Sequence, residues 1–333
     1  MRLLPLALAA AFCLASQFAG AAGLRLIDTP ADASGPSLRI AVWSPCSEPP
    51  GEVKVRSRTL PATADCAVAG DKLPLVVISH GYGGSFAGHH DIAETLADAG
   101  FVVAALNHPI DAGGGDMSRA DTLAALIERP ADIKRLIDYM LGAWPDRGKL
   151  DPDEIGFFGF SRGGYTGLVV AGGNPDIGKA IAFCAAGFPK PSCDELRRNE
   201  IPTQAPPHDS RVKAAVIADP AWGPLFDREG LKNVNIPIQL WASQLSGEDM
   251  TGGEVTADYV AAIARDLPVA PDYRVVANAG HYAFIPPCPQ DIAKNLARSC
   301  ADRPGFDRAA FHRQFDAEAL AFFRKSLTHA EAR

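Results

Sequence analysis

Glu154-Ile155-Gly156-Phe157-Phe158-Gly159-Phe160-Ser161-Arg162-Gly163-Gly164 is the stretch on which the architecture of this chain turns. Residues 154–160 form an apolar run of strand length, and an apolar helix is expected to begin near Gly164, so Ser161 falls on the turn between them. A side chain two residues before or after a serine on so sharp a turn would collide with the adjacent strand or helix, and Gly159 and Gly163 supply the room. Such a turn lifts the Ser161 hydroxyl above a sheet and aims the start of the following helix at the place where negative charge would develop. In a chain with 31 glycines the bare Gly-x-Ser-x-Gly pattern recurs by chance. The strand and helix around it carry the reading, and the plainer alternative is a helix N-cap serine.

Working outward, residues 74–79 and 101–106 are continuous apolar runs, as suits strands covered on both faces. Between them, residues 91–99 carry Ile92 and Leu96 at helical spacing. Upstream, residues 38–44 and 52–60 read as early strands joined by a Pro-Pro-Gly turn at 49–51. Pro130 is expected to open a helix whose stripe of Ile133, Leu136, Ile137, Met140 and Leu141 covers the sheet. Further strands are expected at 214–218, 236–243 and 273–277, with a helix at 257–267 and a closing helix at 308–326. This alternation implies an α/β fold with a doubly wound, mostly parallel sheet and helices on both faces. Without an internal repeat or a linker, residues 23–333 are read as a single catalytic domain. The Pro- and charge-rich segment 187–209 is a candidate lid or cap over the sheet.

Met1-Arg2, the apolar run 3–15 and the small residues Ala19-Gly20-Ala21-Ala22 match a secretory leader, so residues 1–22 are read as a signal peptide and the mature chain as exported, to periplasm or extracellular space. No other stretch approaches the roughly 20 apolar residues a spanning helix needs, so no integral membrane segment is expected in the mature chain. The net charge is -7 with scattered basic residues, which does not suit a nucleic-acid partner. Cys13 lies in the leader, and Cys46, Cys66, Cys184, Cys193, Cys288 and Cys300 remain. An even count in an exported chain favours disulfides, and their grouping suggests three local pairs: 46 with 66, 184 with 193, and 288 with 300.

His80-Gly81-Tyr82-Gly83-Gly84 follows the strand at 74–79, where a glycine-rich loop can turn backbone amides toward a reacting carbonyl; the candidate oxyanion hole is the pair of amides of Tyr82 and Arg162. A serine hydroxyl needs a base to take its proton, and the base needs an acid to hold its tautomer. On folds that carry the nucleophile on such a turn, both follow it in the chain. Of the later histidines, His281 sits just past the strand at 273–277 and is the candidate base. His208 lies in the excursion, and His312 and His329, on or beyond the last helix, read as surface residues. The acid is Asp219, at the end of strand 214–218, or alternatively Glu248 or Asp249 after the next strand; the run Gln244-Leu245-Ser246-Gly247 leaves those two loosely held. His89-His90-Asp91 reads as a polar helix start rather than a metal site. Residues 173–180 nearly match a phosphate-binding loop, but Ala180 replaces the metal-binding hydroxyl and no strand precedes it. Asn107-His108-Pro109 is either a cleft lining or a structural turn.

Ser79-His80-Gly81-Tyr82-Gly83-Gly84, Gly159-Phe160-Ser161-Arg162-Gly163, Ala218-Asp219-Pro220-Ala221-Trp222 and Ala279-Gly280-His281 together resemble the platelet-activating-factor acetylhydrolase and dienelactone-hydrolase-like families of the α/β-hydrolase superfamily. The resemblance covers most of the mature chain. It implies an α/β-hydrolase fold and a serine hydrolase that cleaves a small-molecule carboxylic ester through an acyl-enzyme, without a cofactor or metal. In the acetylhydrolase family the acid follows the strand after the nucleophile's helix, which maps onto Asp219. Dienelactone hydrolases use a cysteine nucleophile where this chain has Ser161, so lactone cleavage is not carried over. Amidase, thioesterase or acyltransferase chemistry on the same residues, or a non-catalytic binding member of the fold, are the alternatives.

Overall fold

The computed structural model describes residues 22–327 apart from 56–57, 187, 189, 250–254, 290–292 and 295–296, so residues 1–21 of the expected signal peptide and His329 lie outside the described residues. Its strands are β1 (Gly23–Asp28), β2 (Arg39–Ser44), β3 (Glu52–Val55), β4 (Arg58–Pro61), β5 (Thr63–Ala64), β6 (Leu73–Ser79), β7 (Val102–Asn107), β8 (Leu150–Phe160), β9 (Val212–Ala218), β10 (Ile238–Ser243) and β11 (Asp272–Val276). Among the described residues, nine of these hydrogen-bond into one sheet in the order β11-β10-β9-β8-β6-β7-β2-β1-β5. From β7 to β11 every pairing is parallel, whereas β2 runs antiparallel to both β7 and β1.

The continuous apolar runs are explained by what lies above and below them. Leu75 and Val77 of β6 enter one hydrophobic cluster, while Val76 and Ile78 enter the other, so alternate side chains bury on opposite faces. The first face is covered by α2 (Ala125–Gly142) through Ile133, Leu136, Ile137 and Met140, and by α3 (Arg162–Val170) through Tyr165, Leu168 and Val169. The second is covered by α1 (His90–Asp98) through Ile92 and Leu96, and by the final helix, Arg308–Leu327, through Phe311, Phe315 and Phe323. Two further helices, α4 (Lys190–Arg197) and α5 (Ala257–Asp266), precede that last one, α6. The result is the three-layer α/β architecture of the α/β-hydrolase fold.

Three expectations are corrected. Residues 52–60 are not one strand: β3 and β4 fold back on each other as a separate antiparallel pair with Val55 opposite Arg58. The helix expected from Pro130 begins at Ala125, leaving Pro130 inside it. Proline cannot donate to the carbonyl four residues back, but Tyr165 of α3 donates its hydroxyl to that carbonyl, Leu126 O, at 3.2 Å, so the interior proline leaves no orphan acceptor. His312, read as a surface residue, is only 5% exposed, because α6 packs it against α1.

Disulfides join Cys46 to Cys66, Cys184 to Cys193 and Cys288 to Cys300. No helix among the described residues is long and apolar enough to cross a membrane.

Candidate active site

Ser161 occupies the link between β8 and α3 with φ 56° and ψ -119°, a left-handed backbone that a non-glycine residue adopts only when its surroundings impose it. Those surroundings are visible. The Ser161 N–H donates to the Ala218 carbonyl of β9 at 3.0 Å, and its own carbonyl accepts from Gly164 and Ala221 at 2.8 and 2.9 Å. A methyl group on Gly163 would run into the Ser79 carbonyl, and one on Gly159 into the Gly163 carbonyl. The crowding that explains the two glycines is therefore between backbone segments, which cannot give way as a side-chain tip can.

Asp219 leaves the end of β9 and His281 follows β11, so two strand ends converge on the Ser161 turn, at the carboxyl edge of the parallel sheet. His281 Nε2 lies 2.9 Å from Ser161 Oγ and its Nδ1 lies 3.1 Å from Asp219 Oδ2. With Nδ1–H donating to the carboxylate, Nε2 is left to accept the serine proton. The imidazole is stacked on the Phe160 ring, centroids 4.6 Å apart, which restricts its rotation. Asp219 is fully buried and also accepts from the Ser243 N–H at 2.7 Å and from the Ser243 hydroxyl. Ser243 was not singled out from the sequence; the available signal was a serine ending the strand beside the one that ends in Asp219. Asp219 and Trp222 also have positive φ, 43° and 57°. Three strained non-glycine backbones thus cluster where β8 and β9 end.

The alternative acids, Glu248 and Asp249, lie on the short helix Ser246–Asp249, and their side chains are outside the described residues. His208 is not joined to Ser161, Asp219 or His281; its Nε2 pairs with the Gly173 carbonyl at 3.2 Å.

The His80–Gly84 loop is pressed against Ser161, for a methyl on Gly81 would sit 3.2 Å from Ser161 Cβ. Tyr82, half exposed, and Trp222 both pack on the Arg162 guanidinium, with ring centroids 4.2 and 4.6 Å from its carbon. That guanidinium also donates to Ala120 O at 2.6 Å and Asp121 Oδ1 at 2.8 Å. Asp121 connects onward to the 187–209 excursion, its carbonyl accepting from the Ser192 N–H at 3.0 Å and from the Ser192 hydroxyl at 2.6 Å.

Behind the loop lies a buried polar network that the sequence did not reveal. Arg129 of α2 donates to Asp111, to the His80 carbonyl and, at 3.2 Å, to Ser79 Oγ. His108 Nε2 is 2.9 Å from Ser79 Oγ and its Nδ1 is 3.1 Å from Asp132 Oδ2. The His108 N–H donates to His80 Nε2 at 3.1 Å. Burial, with the Arg129 charge, lowers His80 to about 4 and holds His108 well below the usual imidazole range, so both are neutral at pH 7. Although Ser79, His108 and Asp132 repeat the Ser-His-Asp chemistry, Ser79 and His108 are fully buried, so no substrate reaches them. Asn107 accepts from the Phe86 N–H at 2.7 Å, so residues 107–108 are structural rather than a cleft lining.

Fold and site together define an α/β-hydrolase-fold chain with a serine, a histidine and an aspartate hydrogen-bonded in series at the carboxyl edge of its sheet. Residues 51–135 match the family described as platelet-activating factor acetylhydrolase, isoform II. The chain is also 28% identical over 158 residues to the candidate esterase NocK of Nocardia uniformis subsp. tsuyamanensis, the match covering 45% of each. The matched part therefore spans under half of that relative's length. A ferulic acid esterase from Streptomyces cinnamoneus superposes with a TM-score of 0.64 at 21% identity, covering 94% of this chain and 91% of its own. A dienelactone hydrolase from Anabaena variabilis superposes with a TM-score of 0.51 at 14% identity, covering 92% and 99%.

Proposed function

We propose that this protein is an exported serine hydrolase that cleaves carboxylic esters, with Ser161 as nucleophile, His281 as general base and Asp219 as the acid that orients it. The observation that carries the reading is the unbroken series from Ser161 Oγ through His281 to Asp219 at 2.9 and 3.1 Å. Its position on a strained turn, with glycines enforced by backbone crowding, supports a hydroxyl held for attack rather than an N-cap. Similarity to an acetylhydrolase family and to esterases supports the ester bond as the target.

In the proposed reaction His281 Nε2 takes the Ser161 proton as Oγ adds to the ester carbonyl, and the imidazolium that forms is stabilised by Asp219. The backbone N–H groups of Tyr82 and Arg162 hold the oxyanion, reinforced by the N-terminal end of α3. Collapse of the tetrahedral intermediate expels the alcohol, which takes its proton from His281. Water, deprotonated by the same histidine, then releases the acid and restores Ser161. The 187–209 excursion, joined to Arg162 through Asp121, is the proposed lid or substrate wall. Three disulfides suit an oxidising, exported location.

Hydrolysis of p-nitrophenyl esters from acetate to palmitate, with the wild type beside Ser161→Ala, tests the reading. The variant is expected to lose at least ~10³-fold in kcat and to escape labelling by a fluorophosphonate, while the preferred chain length sizes the acyl pocket. Equal rates in the two proteins, or wild-type protein that neither turns over nor takes the label, would overturn it.

A further inference from the structure

Where α1 packs against α6, three polar residues that ester cleavage does not use come together. Asp91 stands in the first turn of α1; His312 and Asp316, four residues apart, share one face of α6. One metal-ligating atom from each lies within 4.8 Å of those from the other two. His312 is 5% exposed and Asp316 7%.

The imidazole is oriented as metal-binding histidines commonly are, with one ring N–H committed to a carbonyl. His312 Nε2–H donates to the Ala283 carbonyl at 2.8 Å, which turns Nδ1 toward the carboxylates, 2.6 Å from Asp91 Oδ2. Asp316 is the anomaly, since its Oδ1 is buried with no hydrogen-bond partner. Among the described residues no lysine or arginine pairs with Asp316 or Asp91. Of the other titratable groups at the start of α1, His90 is paired with Glu94 at 3.1 Å, and buried His89, just before the helix, packs edge-on against Phe158 and Phe160. A buried carboxyl group lacking donor and counter-charge calls for a missing partner.

We propose that Asp91, His312 and Asp316 form a binding site for a divalent transition-metal ion of the zinc or manganese class, which braces the turn carrying His281. One imidazole nitrogen with two carboxylates is a donor set suited to such ions, and three protein ligands leave the remaining positions to water. Each coordination bond uses a ligand lone pair; the proton held between His312 Nδ1 and Asp91 Oδ2 is released to solvent as the ion enters. Ligand bonds of about 2.0–2.2 Å require the three side chains to draw closer together. Ala283 lies two residues beyond His281 in the turn His281–Phe284. A ring fixed at Nδ1 by the ion therefore fixes that turn through Nε2.

The test uses tag-free mature protein, dialysed against a chelator and titrated with zinc or manganese chloride by calorimetry, beside Asp316→Asn and His312→Gln. Wild type should bind one ion per chain, with affinity at least tenfold weaker in each variant, and zinc-soaked wild-type crystals should show an anomalous peak among the three side chains. No saturable binding in wild type, unchanged affinity in the variants, or a peak elsewhere would overturn the proposal. Should a variant fail to fold by circular dichroism, the position of the peak in wild-type crystals decides. Neither readout involves ester hydrolysis, so this site and the proposed activity stand or fall separately.

Discussion

Asp132 shows how a single buried carboxyl shapes the response of the fold to pH. Burial pushes it up to about 7, against the opposing pull of Arg135 and Arg129. Because His108 is held neutral, its Nδ1–H donates to Asp132 while Nε2 accepts from Ser79, and an asparagine at 132 keeps the acceptor. Between the ordinary value of 3.8 and about 7, the folded chain retains a proton that the unfolded chain has released. The contribution of Asp132 is thus fully present below the unfolded value and is lost as pH rises to about 7. Linkage at 1.36 kcal/mol per unit sets an upper bound of about 4 kcal/mol, lowered by any relaxation around the charge. Urea unfolding of wild type and Asp132→Asn should show the wild type losing a few kcal/mol relative to the variant between pH 4 and 7, and nothing further above pH 8. Parallel curves would exclude this assignment. At this scale the sequence was legible in part. Ser161, Asp219 and His281 stand out as candidates because each follows a strand end within a local motif. Ser243, Arg129 and Asp132 do not, because their significance comes from residues 24, 49 and 24 positions away that only the sheet brings near.

Among the elements, α2 is where sequence and structure part for an instructive reason. Proline is easiest to place at a helix start, so Pro130 reads as one; the helix instead runs five residues further back, because a neighbouring element satisfies what proline leaves open. The Tyr165 hydroxyl on α3 donates to Leu126 O, the carbonyl an alanine at 130 would bond through its own N–H. Tyr165→Phe should cost about 1–2 kcal/mol in the wild type, because a buried acceptor loses its partner. In a Pro130→Ala background the cost should fall by about 1 kcal/mol, a coupling that a double-mutant cycle of denaturant midpoints resolves. Additive effects would show that the hydroxyl serves some other purpose. The central strands were legible to within a few residues, because two-sided burial writes itself as unbroken apolar runs. The hairpin β3–β4 and strand β1 were not, since short, partly exposed strands carry little pattern to distinguish them from loop.

Across the whole molecule the three disulfides set how much of the stability is independent of redox conditions. They close loops of 20, 9 and 12 residues. Cys46–Cys66 joins the segment after β2 to the segment before β6, at the sheet edge opposite the site; of the two bridges that flank the site, Cys184–Cys193 ties α4 to the helical turn before it and Cys288–Cys300 closes the chain after the His281 turn. On the chain-entropy account each loop contributes about 3 kcal/mol, so together they approach ~8–9 kcal/mol. That is comparable with the entire net stability of a typical domain, about 5–15 kcal/mol. The main core, however, is built largely from α2, α3 and the β6–β10 sheet, and of the three bridges only Cys184–Cys193 reaches it, so reduction should weaken the fold without removing its framework. Full reduction is therefore expected to lower Tm by roughly 10–15 °C, and to speed thermal inactivation, while the reduced protein at 25 °C keeps its sheet signal and a large share of the proposed ester turnover. Calorimetry and p-nitrophenyl acetate hydrolysis with and without reductant, thiols counted by a chromogenic reagent, would check this. A Tm unmoved with six thiols free would mean the bridges contribute nothing beyond the core. Loss of turnover with Tm intact would instead place one of the flanking bridges in direct control of the His281 turn or the proposed lid.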